Sequence, residues 1–179
     1  MTASWFTVLV ALVALERLAE LVVAKRHLAW ALSRGGVESG RGHYPWMVVL
    51  HTGLLVGCLV EAWLARRGPV PVLAWTMTGV VVLTQLLRWW CIRTLGQQWN
   101  TRIVVVPGLT AVRAGPYRRL PHPNYLAVAI EGAALPLAGS AWITAIAFTV
   151  LNGWLMSVRI PAEDKALRLS VPISSDRHG

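Results

Sequence analysis

The chain has 179 residues, of which 55% are hydrophobic and only 14% charged, and it contains ten tryptophans. This is more apolar surface than one small soluble core can bury, so the composition indicates an integral membrane protein. The formal charge of +9 does not indicate nucleic-acid binding, because membrane-length apolar segments separate the basic residues. Cys58 and Cys91 both fall in apolar segments, which predicts neither a disulfide framework nor a metal site.

The first predicted membrane span covers residues 2–23, a length suited to a hydrocarbon core of ~30 Å. Glu16, Arg17 and Glu20 interrupt it, which argues against a cleavable signal sequence. Because charges are costly in lipid, we expect these three to face other helices, with Arg17 and Glu20 paired one turn apart. A polar loop over residues 25–43 is predicted to follow, and it lacks any glycine-rich dinucleotide-binding pattern.

The second predicted span covers residues 46–65. Gly53 and Gly57 are spaced for the close approach of a neighbouring helix. His51 lies within this span without a second histidine at ligand spacing, so the sequence predicts a hydrogen bond to a neighbour and not a metal ligand.

The third predicted span covers about residues 70–90, and its basic, aromatic end predicts that Arg88 reaches toward lipid headgroups. The polar connector that follows contains β-branched residues 103–106, a Pro-Gly pair typical of a type II turn, and residues 109–112. This pattern predicts a small β-hairpin at the membrane surface.

Two further apolar segments, about 124–137 and 142–158, are joined by a short uncharged turn and are predicted to form a tight helical hairpin. Glu131 lies within the first of them and is expected to point into the helix bundle. Arg159 and Glu163 follow the second at one-turn spacing, as a polar stripe that leaves the bilayer.

Chemically diverse side chains crowd together between the third and fourth spans, from Gly115 to Leu126. Pro121 and Pro123 flank His122 and disfavour helical torsions before them, so His122 is predicted to sit on a stiff, extended elbow. Asn124 is predicted to cap the helix that follows. A histidine held at the mouth of a membrane helix favours site chemistry, and a merely basic, proline-broken loop is the alternative.

The distribution of Lys and Arg predicts the orientation of five spans. The first loop has four, the region from Arg88 to Arg119 has six and the tail from Arg159 has four, whereas only Arg66 and Arg67 lie in the alternate loops. The amino terminus is therefore expected outside, and the carboxyl terminus and the elbow on the cytoplasmic side.

Several motifs together resemble those of the isoprenylcysteine carboxyl methyltransferase family of membrane enzymes, most closely its small bacterial branch. They cover residues 95–167 and read Leu95-Gly96-x-x-Trp99, Gly115-x-Tyr117, His122-Pro123-x-Tyr125 and Arg159-Ile-x-x-Glu163-Asp164-x-x-Leu167. The sequence departs from the usual family pattern at two positions. Pro121 stands where an arginine precedes His-Pro, which Arg118 or Arg119 could replace, and Asp164 stands in place of a second glutamate.

The resemblance implies an O-methyltransferase that uses S-adenosylmethionine and releases S-adenosylhomocysteine. The cofactor-binding residues it implies are Tyr117, His122, Pro123, Asn124, Tyr125, Glu163 and Asp164, with no metal. Arg159 would meet a substrate carboxylate or developing charge. If the acceptor is a phenol, His122 or Glu131 are the candidates for a general base.

The acceptor is expected to be a lipophilic molecule drawn from the bilayer, with a carboxylate or an acidic hydroxyl. Relatives in the small bacterial branch resemble enzymes that methylate alkylpyrones or alkylresorcinols, and prenylcysteine is the other class. A composition rich in Ala, Val, Arg and Gly is compatible with a high-GC bacterium and its inner membrane. The alternatives are a membrane reductase that uses NADPH, of related architecture, and a non-enzymatic membrane scaffold.

The predicted fold is therefore an all-α membrane protein with five transmembrane helices, a small cytoplasmic β-hairpin and a carboxyl-terminal helix that caps the cofactor site. Residues 1–94 are predicted to hold three helices and the basic loop, and residues 95–169 the cofactor-binding region with the last two helices. Residues 170–179 are predicted to form a flexible tail.

Overall fold

The protein is described by a computed structural model over residues 3–64 and 68–170. The helices are α1 (Ala3–Ser33), α2 (Tyr44–Leu64), α3 (Pro71–Leu95), α4 (Pro123–Ala138) and α5 (Trp142–Ser170), and the strands are β1 (Val37–Ser39) and β2 (Ile103–Val105). Arg66 and Arg67 of the predicted outer loop lie outside the described residues, as does the predicted tail beyond Ser170.

The first and last helices extend well beyond the predicted membrane segments. The predicted loop over residues 25–43 is wrong in its first part, because α1 continues to Ser33. No glycine or proline occurs between the predicted end at Val23 and Gly35, so nothing in the backbone stops the helix there. Helix α5 continues through Pro161 to Ser170, and the predicted capping helix is therefore the extension of α5.

Three segments of the described chain are long and apolar enough to cross a membrane. They are Arg41–Leu64, Pro71–Gln98 and Trp142–Arg168. Helix α1 carries charged residues in its middle, and α4, with 16 residues, is only ~24 Å long.

Large apolar side chains cover the outside of the helices, and polar side chains lie inside. Leu18, Leu83 and Ile146 are among many that are more than half exposed. The buried polar side chains are Glu20, Thr84, Arg88, Glu131, Asn152 and Arg159. Lipid solvates apolar side chains but not charges, so this distribution is the one expected of helices in a bilayer.

The charges of α1 belong to an ion cluster in the middle of the bundle. Arg88 binds Glu20 with two hydrogen bonds, Nε to Oε1 at 2.8 Å and Nη2 to Oε2 at 2.5 Å. Arg17 donates to the same Glu20 at 2.5 Å, as predicted, and also to Glu131 and Gln85. The prediction that Arg88 reaches the headgroups is wrong, because its side chain is 6% exposed and neutralises a carboxylate that lipid cannot solvate.

The sheet has two strands, but the predicted hairpin partner is wrong. Strand β2 pairs antiparallel with β1 of the first loop, in the register Val37 with Val105 and Ser39 with Ile103. The predicted turn forms, since the Leu109 amide donates to the Val106 carbonyl at 3.3 Å. Residues 109–112 do not return as a strand.

Helices α4 and α5 form a tight hairpin through residues 139–141, and α4 packs mainly against α3 and α5. A side chain at Gly132 of α4 would overlap the ring of Phe148 in α5, so glycine allows this close packing. Glu61 of α2 accepts hydrogen bonds from the backbone amides of Ile143 and Thr144 at 2.9 and 2.8 Å. Its carboxylate thereby satisfies the first turn of α5.

Candidate active site

The elbow before α4 is not helical, but the predicted extended conformation is wrong for His122, whose ψ lies outside the extended region. His122 has φ −132° and ψ 60° and lies at the amino-terminal cap of α4, and Pro123 is the first helical residue. The prediction that Asn124 caps this helix is wrong, because Asn124 is already its second residue. Proline is well suited to the first helical position, where no backbone donor is required.

The elbow is held against the end of α5 through His122. Its Nε2 lies 3.1 Å from Asp164 Oδ1, and its ring stacks on that of Tyr125 with centroids 5.5 Å apart. Asp164 is about half exposed and faces the elbow. The shorter carboxylate at this position therefore fixes the orientation of the imidazole.

Tyr125 links the two charged residues of the α5 stripe. Its hydroxyl donates to Glu163 Oε2 and accepts a hydrogen bond of 2.9 Å from Arg159 Nε. One phenol thus holds a guanidinium and a carboxylate on either side of it.

The guanidinium of Arg159 is buried without a carboxylate partner. Its side chain is 4% exposed, and no described carboxylate lies within ion-pairing distance. Nη2 donates to the Thr101 carbonyl, and Nη1 lies 3.1 Å from the sulfur of Met47, a weak acceptor. A buried cation in this state is costly, and an anionic ligand would offset that cost.

Two cavities meet at these residues. The outer cavity, of about 200 Å³, lies between the elbow, the connector around β2 and the ends of α1 and α5. The inner cavity, of about 290 Å³, extends into the bundle and reaches Arg159, Met156 and the ion cluster. Both cavities share one wall, formed by Asn100, Arg102, Ile103, Asn124, Tyr125 and Glu163.

Two buried polar atoms beside the outer cavity have no hydrogen-bond partner among the described residues. They are Oδ1 of Asn124, an acceptor, and Nε1 of Trp99, a donor. Both residues line the outer cavity. Buried polar groups are nearly always paired, so these two indicate a ligand that offers one donor and one acceptor.

The remaining predicted site residues are placed less centrally. Tyr117 lines the outer cavity, and burial raises the pKa of its hydroxyl, as does the nearby Cys91. Pro123 is fully buried and lines neither cavity. Glu131 binds Arg17 in the ion cluster and also lines neither cavity.

Neither of the arginines expected to replace the family arginine at position 121 lines a cavity. Pro121 itself lines the outer cavity, and Arg118 and Arg119 are exposed and line neither one. Arg102 lies in the shared wall instead, and its hydrogen bond to Glu38, 2.8 Å long, raises the pKa of its guanidinium.

Sequence reasoning missed several residues that line the inner cavity, among them Met47, His51 and Thr101. Thr101 acts through its backbone carbonyl, which no side-chain pattern reveals. For His51 a signal was present, since an ionisable group within a membrane segment is a candidate for function.

Comparison with known proteins agrees with this geometry. The isoprenylcysteine carboxyl methyltransferase (ICMT) family matches residues 77–169, which include the elbow and the α5 stripe. A Bacillus subtilis (strain 168) protein, YpbQ, described as uncharacterized, is 36% identical over 165 residues, covering 91% of this chain and 96% of that protein. The chain belongs to the ICMT family. No solved structure matches it significantly.

Membership in the ICMT family implies a membrane methyltransferase. The three apolar helical segments agree with an integral membrane protein. The match begins within α3, so α1 and α2, which carry Arg17, Met47 and His51, lie outside it.

The methyl donor that is general in the ICMT family is S-adenosylmethionine. That molecule carries hydroxyl and ammonium donors, a carboxylate and a purine. Glu163 and the unpaired Oδ1 of Asn124 can accept from its donors, and Nε1 of Trp99 can donate to an acceptor. The hydrogen-bond donors and acceptors of the outer cavity therefore complement those of S-adenosylmethionine.

Proposed function

We propose that this protein is a membrane O-methyltransferase that uses S-adenosylmethionine to methylate a lipophilic acceptor. One observation carries the proposal: two cavities of different character share a wall made by Asn124, Tyr125 and Glu163. A water-soluble cofactor in the outer cavity and a lipid-soluble acceptor in the inner cavity would then meet at this wall.

The outer cavity is the proposed cofactor site. Glu163 and Asn124 would bind hydroxyl or ammonium donors, and Trp99 would donate to a carboxylate or purine nitrogen. His122 and Asp164 hold the elbow beside it, with Tyr125 stacked on His122. When bound, the cofactor supplies an electrophilic methyl group.

The inner cavity is the proposed acceptor site. Its walls are largely apolar, with Leu55, Val128 and Met156 among them, which suits an alkyl-bearing molecule. Arg159 would bind the carboxylate or ionised hydroxyl of the acceptor and so replace the missing anionic partner. The acceptor classes are an acidic hydroxyl, as in an alkylpyrone, and a carboxylate of the prenylcysteine type.

Positioning and exclusion of water would supply most of the acceleration. Arg159 would hold the reacting oxygen toward the shared wall, and an acceptor that is already anionic needs no base. His122 and Glu131, the residues considered as a base, lie at the outer cavity and in the ion cluster. Neither lines the inner cavity, so the placement supports neither of them as the base.

We also propose that all five helices lie in the bacterial inner membrane, with the amino terminus outside and the cofactor site cytoplasmic. The distribution of Lys and Arg supports this orientation. The buried ion cluster supports a membrane position for α1 and α4, because their charges face each other and not the lipid.

The decisive experiment is thermal unfolding of the detergent-solubilised chain with added nucleotides. S-adenosylhomocysteine is expected to raise the melting temperature, since a ligand that binds only the folded state stabilises it. NADP(H) is expected to leave it unchanged. The reverse result would favour a reductase, and no shift with either ligand would favour a scaffold.

A second prediction concerns Glu163, whose carboxylate lines both cavities. The substitution Glu163→Ala is expected to reduce the affinity for S-adenosylhomocysteine roughly 10-fold or more, because it removes a charged hydrogen-bond acceptor. Titration calorimetry of the purified variant measures this change directly.

The matched control is Glu16→Ala, a carboxylate of α1 that lines neither cavity. This variant is expected to bind S-adenosylhomocysteine like the wild type. An equal loss of affinity in both variants would indicate a general folding defect and contradict the assignment of Glu163.

A further inference from the structure

The inner cavity contains a histidine that the proposed chemistry has not yet used. His51 lies on α2 and lines this cavity together with Arg159 and Met156. Its Nδ1 lies 2.8 Å from the backbone carbonyl of Met47, and its ring meets that of Phe148 edge to face with centroids 5.5 Å apart. Two contacts on different helices therefore hold the imidazole in one orientation.

The hydrogen bond to Met47 determines which ring nitrogen carries the proton. A carbonyl oxygen can only accept, so Nδ1 must be the donor. In the neutral ring Nε2 then presents a lone pair. No described carboxylate forms an ion pair with His51.

The lone pair of Nε2 has no donor within the described part of the chain. His51 also lies close to the proposed reaction centre at Arg159, because it follows Met47 by one turn of α2. Met47, one turn before His51, has its sulfur 3.1 Å from Nη1 of Arg159. The inner cavity thus combines a cation at Arg159 with a neutral hydrogen-bond acceptor about one helical turn, ~5.4 Å, deeper along α2.

We propose that His51 determines acceptor specificity by accepting, through Nε2, a hydrogen bond from a hydroxyl group of the acceptor. This rests on the proposed function, since it assigns the substrate class of the same site. The inner cavity then selects a phenol or enol. A carboxylate presents only lone pairs to Nε2 and leaves it unpaired.

The same hydrogen bond would distinguish substrate from product. On methylation the O–H bond breaks, its proton passes to Nε2 and the oxygen bonds the methyl carbon, so the ether has no hydrogen to donate to Nε2. A site that binds a substrate hydroxyl rejects the analogue that lacks it, because the buried polar group is left unpaired. His51 therefore favours release of the methylated product.

The test is a binding measurement without any methyl donor, made on the full detergent-solubilised chain. The probes are a long-chain meta-alkylphenol and its methyl ether, and binding is followed by tryptophan fluorescence. The wild type is expected to bind the phenol roughly 3- to 10-fold more tightly than the ether, the ratio given by one neutral hydrogen bond. His51→Phe keeps an aromatic ring beside Phe148 and is expected to bring this ratio close to one.

Two further variants make the test specific. His51→Gln introduces an amide oxygen as the acceptor and is expected to keep part of the preference for the phenol. This variant also tests the proposal if His51→Phe fails to fold. His43→Phe changes a histidine that lines neither cavity and is expected to keep the full preference.

The inference is overturned if the wild type binds phenol and ether equally, if it binds neither, or if His51→Phe keeps the preference. The change in melting temperature with S-adenosylhomocysteine is measured independently of these two probes. A normal melting shift with no phenol preference contradicts only the role of His51. An absent melting shift contradicts the proposed function, whatever the two probes do.

Discussion

Replacing Arg159 with methionine is expected to lower the rate of methyl transfer roughly 100- to 1,000-fold, the usual cost of losing one preorganised donor at a reacting oxygen. Binding of S-adenosylhomocysteine should change little, because Arg159 lines the inner cavity and not the outer one. Transfer of a labelled methyl group to a meta-alkylphenol measures the rate, and titration calorimetry measures cofactor binding.

The same substitution should not destabilise the fold. Arg159 is a buried cation without a described carboxylate partner. Methionine at this position therefore removes the free-energy cost of burying that charge, as well as three hydrogen bonds. We therefore expect an unchanged or higher melting temperature, as is common when a strained functional residue is removed.

Lysine is not expected to rescue the enzyme at position 159. The guanidinium donates in three directions, to Tyr125, Thr101 and Met47, and an ammonium cannot reproduce this planar fork. The matched control is Arg93→Met, an exposed arginine of α3 that lines neither cavity and should retain full activity. Activity of Arg159→Met close to that of the control would contradict the assignment.

Replacing Arg88 with methionine is expected to cost about 3–5 kcal/mol of stability, because it leaves buried negative charge uncompensated. Arg88 makes both of its hydrogen bonds to Glu20, which also binds Arg17. After the substitution, Arg17 alone must neutralise Glu20 and Glu131. Unfolding of the purified protein in a denaturing detergent measures the change.

A double-mutant cycle separates the interaction between Glu20 and Arg88 from the interactions of each residue with its other neighbours. Glu20→Met combined with Arg88→Met should recover most of the lost stability, because both charges leave together and Arg17 keeps Glu131 as partner. Arg93→Met, the exposed control, should change stability little. Additive losses in the double variant would contradict the view that Glu20 and Arg88 act mainly on each other.

Glu163 and Asp164 show how adjacent carboxylates take different tasks. Successive residues of a helix point about 100° apart, so they cannot face the same surface. Glu163 faces the two cavities and binds Tyr125, whereas Asp164 faces the elbow and binds His122. The aspartate that departs from the usual family pattern is therefore the one that positions the imidazole.

Two separate features of the site could be predicted from local patterns. Two prolines around His122 predict a non-helical elbow, and one-turn spacing predicts that Arg159 and Glu163 share a helix face. These features depend on residues close together in the chain, where backbone sterics and helix periodicity are sufficient.

Partners between distant segments could not be predicted in the same way. The partner of β2 is β1, more than sixty residues earlier, and no local pattern specifies a pairing between segments that far apart. Arg88 was expected at the headgroups, since its aromatic neighbours are typical of an interface, yet Glu20 of α1 draws it inside.

The sequence by itself determined the apolar helices, the short α4–α5 hairpin and the stiff elbow, because each depends on periodicity, length or proline sterics within one segment. Only the tertiary structure decided which polar groups meet: Arg88 with Glu20, Arg159 with Tyr125, and His51 with the inner cavity. The physical reason is that lipid cannot solvate charge. Each buried polar group must therefore find its partner on another helix, and helix packing alone determines which partner lies within reach.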